Sequence, residues 1–245
     1  MAGGGDASTA GAVVGLDVCR GGWVAVVLDG VDDAGGPRGG LASAYVLASI
    51  TELEHVVDAA VVGIDIPIGL VDDRLRAADL AARAALGPRR NSVFMTPVRA
   101  AVEASTHAAA SAVNRQRTGL GISRQAYNLR DKILEVDRWL GTGAREARHV
   151  VEVHPEVSFT TMLGHPPRAS KKSWQGMVER RAALDAAGID VGAVDERVGA
   201  AVGIDDLLDA AAVAWTARRV RDCTATCLPD PPELDPRGQP IAIWS

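Results

Sequence analysis

The chain has 245 residues, of which 47% are hydrophobic and 4% aromatic, and its formal charge is −5 at pH 7. This length suits one domain with an aliphatic core, and the acidic balance argues against a generic nucleic-acid-binding protein, whose affinity comes from neutralising phosphates. Cys19, Cys223 and Cys227 show no zinc-type pairing. Because no signal peptide or long apolar span is visible, we predict a cytoplasmic protein without membrane contact.

The first half of the chain predicts strands followed by one helix and a further strand. Residues 1–11 are small, so we expect them to be disordered and expect 12–245 to form a single domain. The β-branched runs at 12–18, 22–29 and 41–47 predict three antiparallel strands, with an exposed Gly-rich loop before the third. A capped helical segment at 49–60 then leads to the strand VVGIDIPIGL.

The second half is mainly helical. Apolar periodicity predicts an insertion at about 73–140, with helices near 73–86, 98–114 and 122–140. A strand HVVEVHP interrupts this pattern, and helices follow near 156–163, 173–187 and 205–221. The Pro- and Asp-rich stretch CLPDPPELDPRG is interpreted as a connection to QPIAIWS, which is predicted as an edge strand. The predicted fold class is therefore α/β: three antiparallel strands and then parallel strands in one mixed sheet, with helices on both faces.

Acidic residues recur at strand ends and at the start of the last helix. Alternate residues of a strand share a side, so Asp17 and Asp65 each share a side with a glycine two residues earlier. Glu152 is placed in the same way among valines, and Asp206 and Asp209 lie one turn apart on an otherwise apolar helix face. We therefore predict that these five carboxylates point inward and share one site.

Such a cluster needs protons or shared cations, because neighbouring buried carboxylates repel one another. An oxygen-only ligand set suits Mg²⁺ or Mn²⁺, and two such ions can activate a water for phosphodiester cleavage. Each acid also has a local explanation. These are helix capping for Asp205, Asp206 and Asp209, a pair with Arg20 or a turn for Asp17, turn formation for Asp65 and an arginine partner for Glu152.

Several spaced motifs carry a resemblance to a known family. They are GLDVCRGGWV, GIDIPIGL, AADLAARAALGPRRNSVF, VEVHPEVSF and DDLLDAAAVAWTARR. From about residue 12 to residue 244 the chain resembles the predicted nucleases with a ribonuclease H-like fold that are catalogued as domain of unknown function 429. The resemblance implies a ribonuclease H-like fold and hydrolysis of nucleic acid, with Asp17, Asp65, Asp206 and Asp209 as ligands of two Mg²⁺ or Mn²⁺ ions.

The same resemblance adds further candidate residues. Glu152 and His154 belong to its E-x-H-P-E signature; Glu152 is a catalytic candidate, whereas for His154 a structural hydrogen bond is favoured over acid–base work. The candidates for holding phosphate oxygens, or alternatively for bridging the carboxylates, are Arg83, Arg90, Ser92, Lys171 and Lys172, among which Lys172 and Arg83 are favoured. Between residues 74 and 148 basic residues outnumber acidic ones by fourteen to six, which is either a surface for an anionic ligand or a solvated arginine face.

Two other functions remain open from the sequence. One is a nucleotide-binding phosphotransferase or ATPase of the actin-like fold group, which also begins with an aspartate on its first strand. The other is a non-catalytic binding protein that retains the fold. For a nuclease, the low aromatic content makes base stacking a minor contributor, which favours a junction, a hybrid or a small nucleotide as substrate.

Overall fold

The structure, a computed structural model, describes residues 11–28, 40–41, 43–144 and 148–245. The predicted disorder of the N-terminal segment and nearly all of the Gly-rich loop lie outside these residues. Strands and helices are numbered below in chain order.

Nine strands are present in the described part of the chain. They are β1 (Ala12–Cys19), β2 (Gly22–Leu28), β3 (Gly40–Leu41), β4 (Ser43–Leu47), β5 (Ala59–Ile64), β6 (His149–Val153), β7 (Ile189–Asp190), β8 (Cys227–Leu234) and β9 (Pro240–Trp244). Seven form one sheet in the order β4-β2-β1-β5-β6-β9-β8, whereas β3 and β7 pair separately. Strands β4, β2 and β1 are antiparallel, and β1, β5, β6 and β9 run parallel.

Most helices follow the predicted segments with additional breaks, but the helix at Glu196–Ala201 was not predicted. The helices are α1 (Leu53–Val56), α2 (Ala77–Leu86), α3 (Arg99–Val102), α4 (His107–Thr118), α5 (Arg124–Asn128), α6 (Arg130–Trp139), α7 (Pro155–Leu163), α8 (Trp174–Ala186), α9 (Glu196–Ala201) and α10 (Ile204–Arg221). The segment predicted at 98–114 is two helices because Thr106 caps the second, its side chain accepting from the backbone N–H of Ala109. Within the described residues, no helix is long and apolar enough to cross a membrane.

Two apolar layers enclose the sheet. On one face α10 packs on β1, β2 and β5, and on the other face β1, β2 and β5 meet Ile133, Val136 and Trp139 of α6. The close approach of α10 depends on glycine: a Cβ at Gly15 would collide with the backbone of Ala214, and one at Gly63 would lie 2.9 Å from Val213 Cγ1. The predicted mixed α/β sheet is confirmed, and it is consistent with a ribonuclease H-like fold.

The C-terminal end differs from the prediction. Strand β9 was predicted as an edge strand, but it lies between β6 and β8. The Pro-rich stretch predicted as a connection forms β8, which is the edge strand at this end of the sheet. Proline is tolerated there because one side of an edge strand needs no N–H donors, and the pairing with β9 shifts register between Leu228 and Glu233, across the prolines.

Candidate functional site

A cleft of about 490 Å³ opens at the carboxyl ends of β1, β5 and β6. The start of α10 and the loop before α8 form one wall. The segment after α2, from Pro88 to Thr96, supplies another wall, so the predicted insertion contributes to the cleft. All five predicted acids line it, together with His154, Glu156 and Lys171.

The strand register explains why Asp17 and Asp65 are neighbours. Strands β1 and β5 are parallel with Gly15 opposite Gly63, so the residue two positions beyond each glycine lies on the same face of the sheet. That face is the one on which α10 packs, and α10 brings Asp209 to the same place. The glycines therefore admit the helix, and the aspartates meet its N-terminal half.

Burial makes these carboxylates hard to ionise. Burial raises the pKa of Asp17 well above its usual value, and the charges of Asp65 and Asp209 add to the effect. Burial, followed by the charge of Asp209, raises the pKa of Asp65 to about 8. The pKa of Asp209, also raised by burial, is about 6. The three groups therefore compete for cations and protons.

Lys171 is the cation that reaches this cluster. Its Nζ donates to Asp209 Oδ2, and although burial opposes its charge, Asp209 raises its pKa above the usual lysine value. Asp209 is 1% exposed, and its other oxygen, Oδ1, has no hydrogen-bond partner among the residues that the structure describes. A buried carboxylate oxygen without a donor is costly, so this atom is an acceptor ready for a ligand.

Asp206 stands at the margin of the cluster. It lines the cleft and is only partly buried, and burial followed by the charge of Asp205 raises its pKa. The alternative explanation by helix capping is not supported, because the N-cap of α10 is Gly203 and no side chain caps it. Asp205 instead accepts from Lys172 at the exposed surface.

Local explanations for the two strand acids also find no support in the described contacts. Asp17 accepts from the adjacent N–H of Val18 at 2.7 Å, and the described ion pairs do not join it to Arg20. Asp65 contributes its backbone N–H, which donates to Leu16 O at 2.9 Å, and none of the described hydrogen bonds uses its carboxylate. Both side chains line the cleft, and in the described contacts Asp17 accepts only from the adjacent N–H of Val18, so both carboxylates are available to a ligand there.

Glu152 was predicted to point the same way as Asp17 and Asp65, and this is wrong. Its register partner is Ile64 rather than Gly63, so it lies on the opposite face of the sheet. There it binds Arg76, which is fully buried, and accepts from the N–H of Ile68 at 2.7 Å. Burial raises the pKa of Glu152 to about 7 against the opposing charge of Arg76. The alternative of an arginine partner is the one observed.

Arg76 links Glu152 to a second buried acid. Asp79 lies 3.6 Å from Arg76 Nη1 and accepts from the N–H of Thr96 at 2.7 Å, and Thr96 Oγ1 accepts from Arg76 at 3.0 Å. This network ties β6 to α2 and to the segment that forms the cleft wall. Its function in the described contacts is to hold that wall in place.

Both ring nitrogens of His154 are occupied. Nδ1 accepts from the N–H of Glu156 at 3.2 Å and caps α7, and Nε2 faces Ser92 O at 3.3 Å, which assigns the proton to Nε2. Burial lowers the pKa of His154 to about 4. The structural hydrogen bond favoured from the sequence is thus observed. Glu156 pairs with buried Arg180, and its Oε2 is buried without a partner.

The predicted phosphate-binding residues are dispersed. Arg83 donates to the carbonyls of Arg90 and Val93, so it supports the wall from behind. Ser92 lines the cleft, but its hydroxyl donates to Arg89 O at 2.8 Å. Arg90 is exposed outside the cleft lining, and Lys172 binds Asp205 instead of entering the cleft. Of the two adjacent lysines, Lys171 is the one that reaches the acids.

Lys171 and Glu156 belong to the cleft, but from the sequence Lys172 was favoured over Lys171, and Glu156 was present only as part of the E-x-H-P-E motif. Lys171 lies in a loop without strand or helix periodicity, and Lys172 carries the same charge. Glu156 was visible in the E-x-H-P-E motif, and its position in the first turn of a helix after a strand was the available signal. In the described residues, no three His, Cys, Asp or Glu side chains are arranged as a ready-made metal site.

The fold and the cleft define a mixed α/β protein with carboxylates gathered at the ends of parallel strands, where such sheets commonly bind ligands. The family model described as "Protein of unknown function (DUF429)" matches residues 15–234, and the chain belongs to that family. No curated protein and no solved structure matches the chain.

Proposed function

We propose that this protein is a metal-dependent nuclease of ribonuclease H-like architecture. The observation that carries the proposal is that buried Asp209, a residue of the cleft lining shared with Asp17 and Asp65, has an oxygen, Oδ1, without a hydrogen-bond partner among the described residues. A lone buried carboxylate would protonate or find an arginine, as Glu152 does. Three carboxylates around one lysine become net negative only when they lose their protons, and an added cation would favour that loss.

The donor set fits hard divalent cations. Asp17, Asp65 and Asp209 offer only carboxylate oxygens, Asp206 adds one at the margin, and these are the ligands that Mg²⁺ and Mn²⁺ prefer. When bound, one or two such ions would lower the pKa of a water molecule and stabilise charge on a leaving oxygen. A ligand that also takes Asp209 Oδ2 would displace the hydrogen bond that Lys171 donates to this oxygen.

The remaining residues have defined tasks in this proposal. If Lys171 is released from Asp209, its ammonium group can act as a point charge that holds a phosphate oxygen of a substrate in the cleft. His154 stays neutral, and both of its ring nitrogens are used, so it supports the wall rather than moving protons. Arg76 keeps Glu152 neutralised on the other face of the sheet and thereby holds the wall segment.

The first experiment is calorimetric titration of the chelated, desalted protein with Mn²⁺ and then Mg²⁺. We expect the wild type to bind and both Asp17→Asn and Asp209→Asn to weaken binding. Asp205→Asn is the matched control, because this acid starts the same helix but pairs with Lys172 outside the cleft lining. Metal binding that ignores both cleft variants, or no binding by the wild type, would refute the metal site.

Cleavage is tested with the same four proteins. End-labelled single strands, duplexes, RNA–DNA hybrids and four-way junctions are incubated with Mn²⁺, and products are separated on denaturing gels. We expect wild type and Asp205→Asn to cleave at least one substrate, and the two cleft variants to lose that activity. Metal binding accompanied by tight ATP binding and no cleavage would instead support the phosphotransferase alternative.

A further inference from the structure

Trp174, the first residue of α8, leaves 74% of its surface exposed. Tryptophan is highly buried on average, and exposed clusters of apolar residues mark binding surfaces. Val178 lies one turn further along the same helix face and is 47% exposed. Together with Arg168, Ala169, Gln175 and Glu179 these residues line a groove of about 350 Å³.

The backbone that presents Trp174 is held at several points. The carboxylate of Glu179 accepts from the N–H of Arg168 at 3.0 and 3.1 Å, and Ser170 O accepts from the N–H of Ser173 at 2.9 Å. Gly176 allows α8 to approach this loop, since a Cβ there would collide with Ser170 O. The ring is therefore presented by an ordered surface, which lowers the entropy cost of binding.

The same loop connects this groove to the carboxylate cleft. Arg168 lines the groove, and Ser170 and Lys171 line the cleft. Trp174 is three positions after Lys171, so their Cα atoms are at most about 11 Å apart. That span corresponds to roughly three stacked nucleotides at about 3.4 Å each.

The charges around the groove fit a polyanion. Arg168 is left out of the ion pairs of the described residues, whereas Lys171 and Lys172 pair with Asp209 and Asp205. The carboxylate of Glu179, which also lines the groove, accepts from the N–H groups of Arg168 and Ala169. An exposed indole beside a free guanidinium matches a nucleobase and its phosphate. A protein partner would need about 20 to 30 residues a side, whereas six line this groove.

We propose that Trp174 is a stacking platform for an unpaired nucleobase, with Arg168 holding the adjacent phosphate, so that the substrate is single-stranded nucleic acid or a duplex with unpaired nucleotides. This inference rests on the proposed nuclease function. The low aromatic content predicted that base stacking contributes little, and Trp174 is one stacking residue next to the cleft. The unpaired base is placed on the groove while the neighbouring backbone enters the cleft.

Fluorescence anisotropy of a labelled twelve-nucleotide single strand tests the platform in EDTA, where neither metal nor cleavage is required. We expect Trp174→Ala to raise the Kd roughly 5- to 100-fold, because this is the affinity that a base typically gains by stacking on one aromatic side chain. Trp174→Phe retains a ring and should recover most of the affinity. Leu120→Ala removes another exposed apolar side chain and should bind as the wild type does, and binding of a blunt duplex should not depend on Trp174.

Mn²⁺-dependent cleavage by the same samples separates this inference from the proposed function. If Trp174→Ala binds like the wild type, the platform is refuted whether or not the protein cleaves. Trp174-dependent binding without cleavage by the wild type would keep the platform and refute the nuclease. A wild type that binds no strand, or that forms dimers in sedimentation which Trp174→Ala dissociates, would also overturn the platform, the latter by assigning the groove to a second copy.

Discussion

Asp65→Asn should stabilise the metal-free protein, although it removes a residue of the candidate site. Burial and the charge of Asp209 raise the pKa of Asp65 from 3.8 to about 8. An acid whose pKa is raised on folding contributes stability below its unfolded pKa, and this stability is lost as the pH rises through the folded value. Replacing it with neutral Asn removes that penalty.

The size of the effect follows from the shift. Each pKa unit corresponds to about 1.4 kcal/mol, so the destabilisation that the Asp65 carboxyl causes at pH 7 has an upper limit of roughly 4 kcal/mol. Lys171 and the other carboxylates readjust when one charge is removed, so we expect about 1 to 2 kcal/mol, or a Tm rise of roughly 2 to 8 °C. The gain should increase from about pH 4 to about pH 8.

Scanning calorimetry in EDTA at pH 5, 6, 7 and 8 measures this difference. Asp58→Asn is the matched control, because Asp58 is exposed just before β5 on the same chain segment, and it should change the Tm little at every pH. Adding Mn²⁺ should raise the Tm of the wild type but not that of Asp65→Asn. A Tm gain that is absent, or independent of pH, would refute the argument that repulsion and burial strain this carboxylate.

Three further predictions concern the surroundings of the cleft. Lys171→Met should lower the free energy of unfolding at pH 8 by about 1 kcal/mol, a small value because the lysine is partly exposed. The same change should tighten Mn²⁺ binding, because the ammonium group no longer competes for Asp209. Weaker Mn²⁺ binding in calorimetry would contradict this prediction. Gly15→Ala should lower the free energy of unfolding, measured in urea, by about 3 kcal/mol or more, because its Cβ collides with the backbone of α10. Gly199→Ala is the control, since a Cβ there meets open space and should not lower stability. Equal effects of the two changes would disprove the packing argument. Arg76→Met should lower the free energy of unfolding by about 3 to 5 kcal/mol at pH 8, because it leaves buried Glu152 without its cation. Stability should recover as the pH falls to 5, since Glu152, with a pKa of about 7, then binds a proton. A pH-independent loss in circular dichroism melts would argue for a packing role instead.

The comparison of prediction with structure is most informative at the strand acids. Period-two alternation identified Asp17 and Asp65 correctly as sharing sides with Gly15 and Gly63, because the side on which a residue lies is a local property of a strand. Alternation does not give the register between strands. Pairing of Ile64 with Glu152 puts that acid on the other face, and register is decided by packing on both sides.

Loops and edges show the same limit. Prolines led to the prediction of a connection at 227–234, whereas sheet pairing made this stretch the edge strand. The adjacent lysines 171 and 172 are chemically alike in sequence, yet one meets Asp209 and the other meets Asp205. Only the three-dimensional path of the loop distinguishes them.

The sequence by itself determined the order and type of most elements, the mixed sheet, and the acids of β1, β5 and α10, because periodicity and glycine placement are written locally in the chain. Tertiary structure alone decided that Glu152 is neutralised by Arg76, that Lys171 enters the cluster and that Asp209 keeps an oxygen without a partner. Each of these features depends on charged groups that come from distant segments of the chain. Because the groups are buried, the presence or absence of a partner decides whether a carboxylate is stabilised in its charged form.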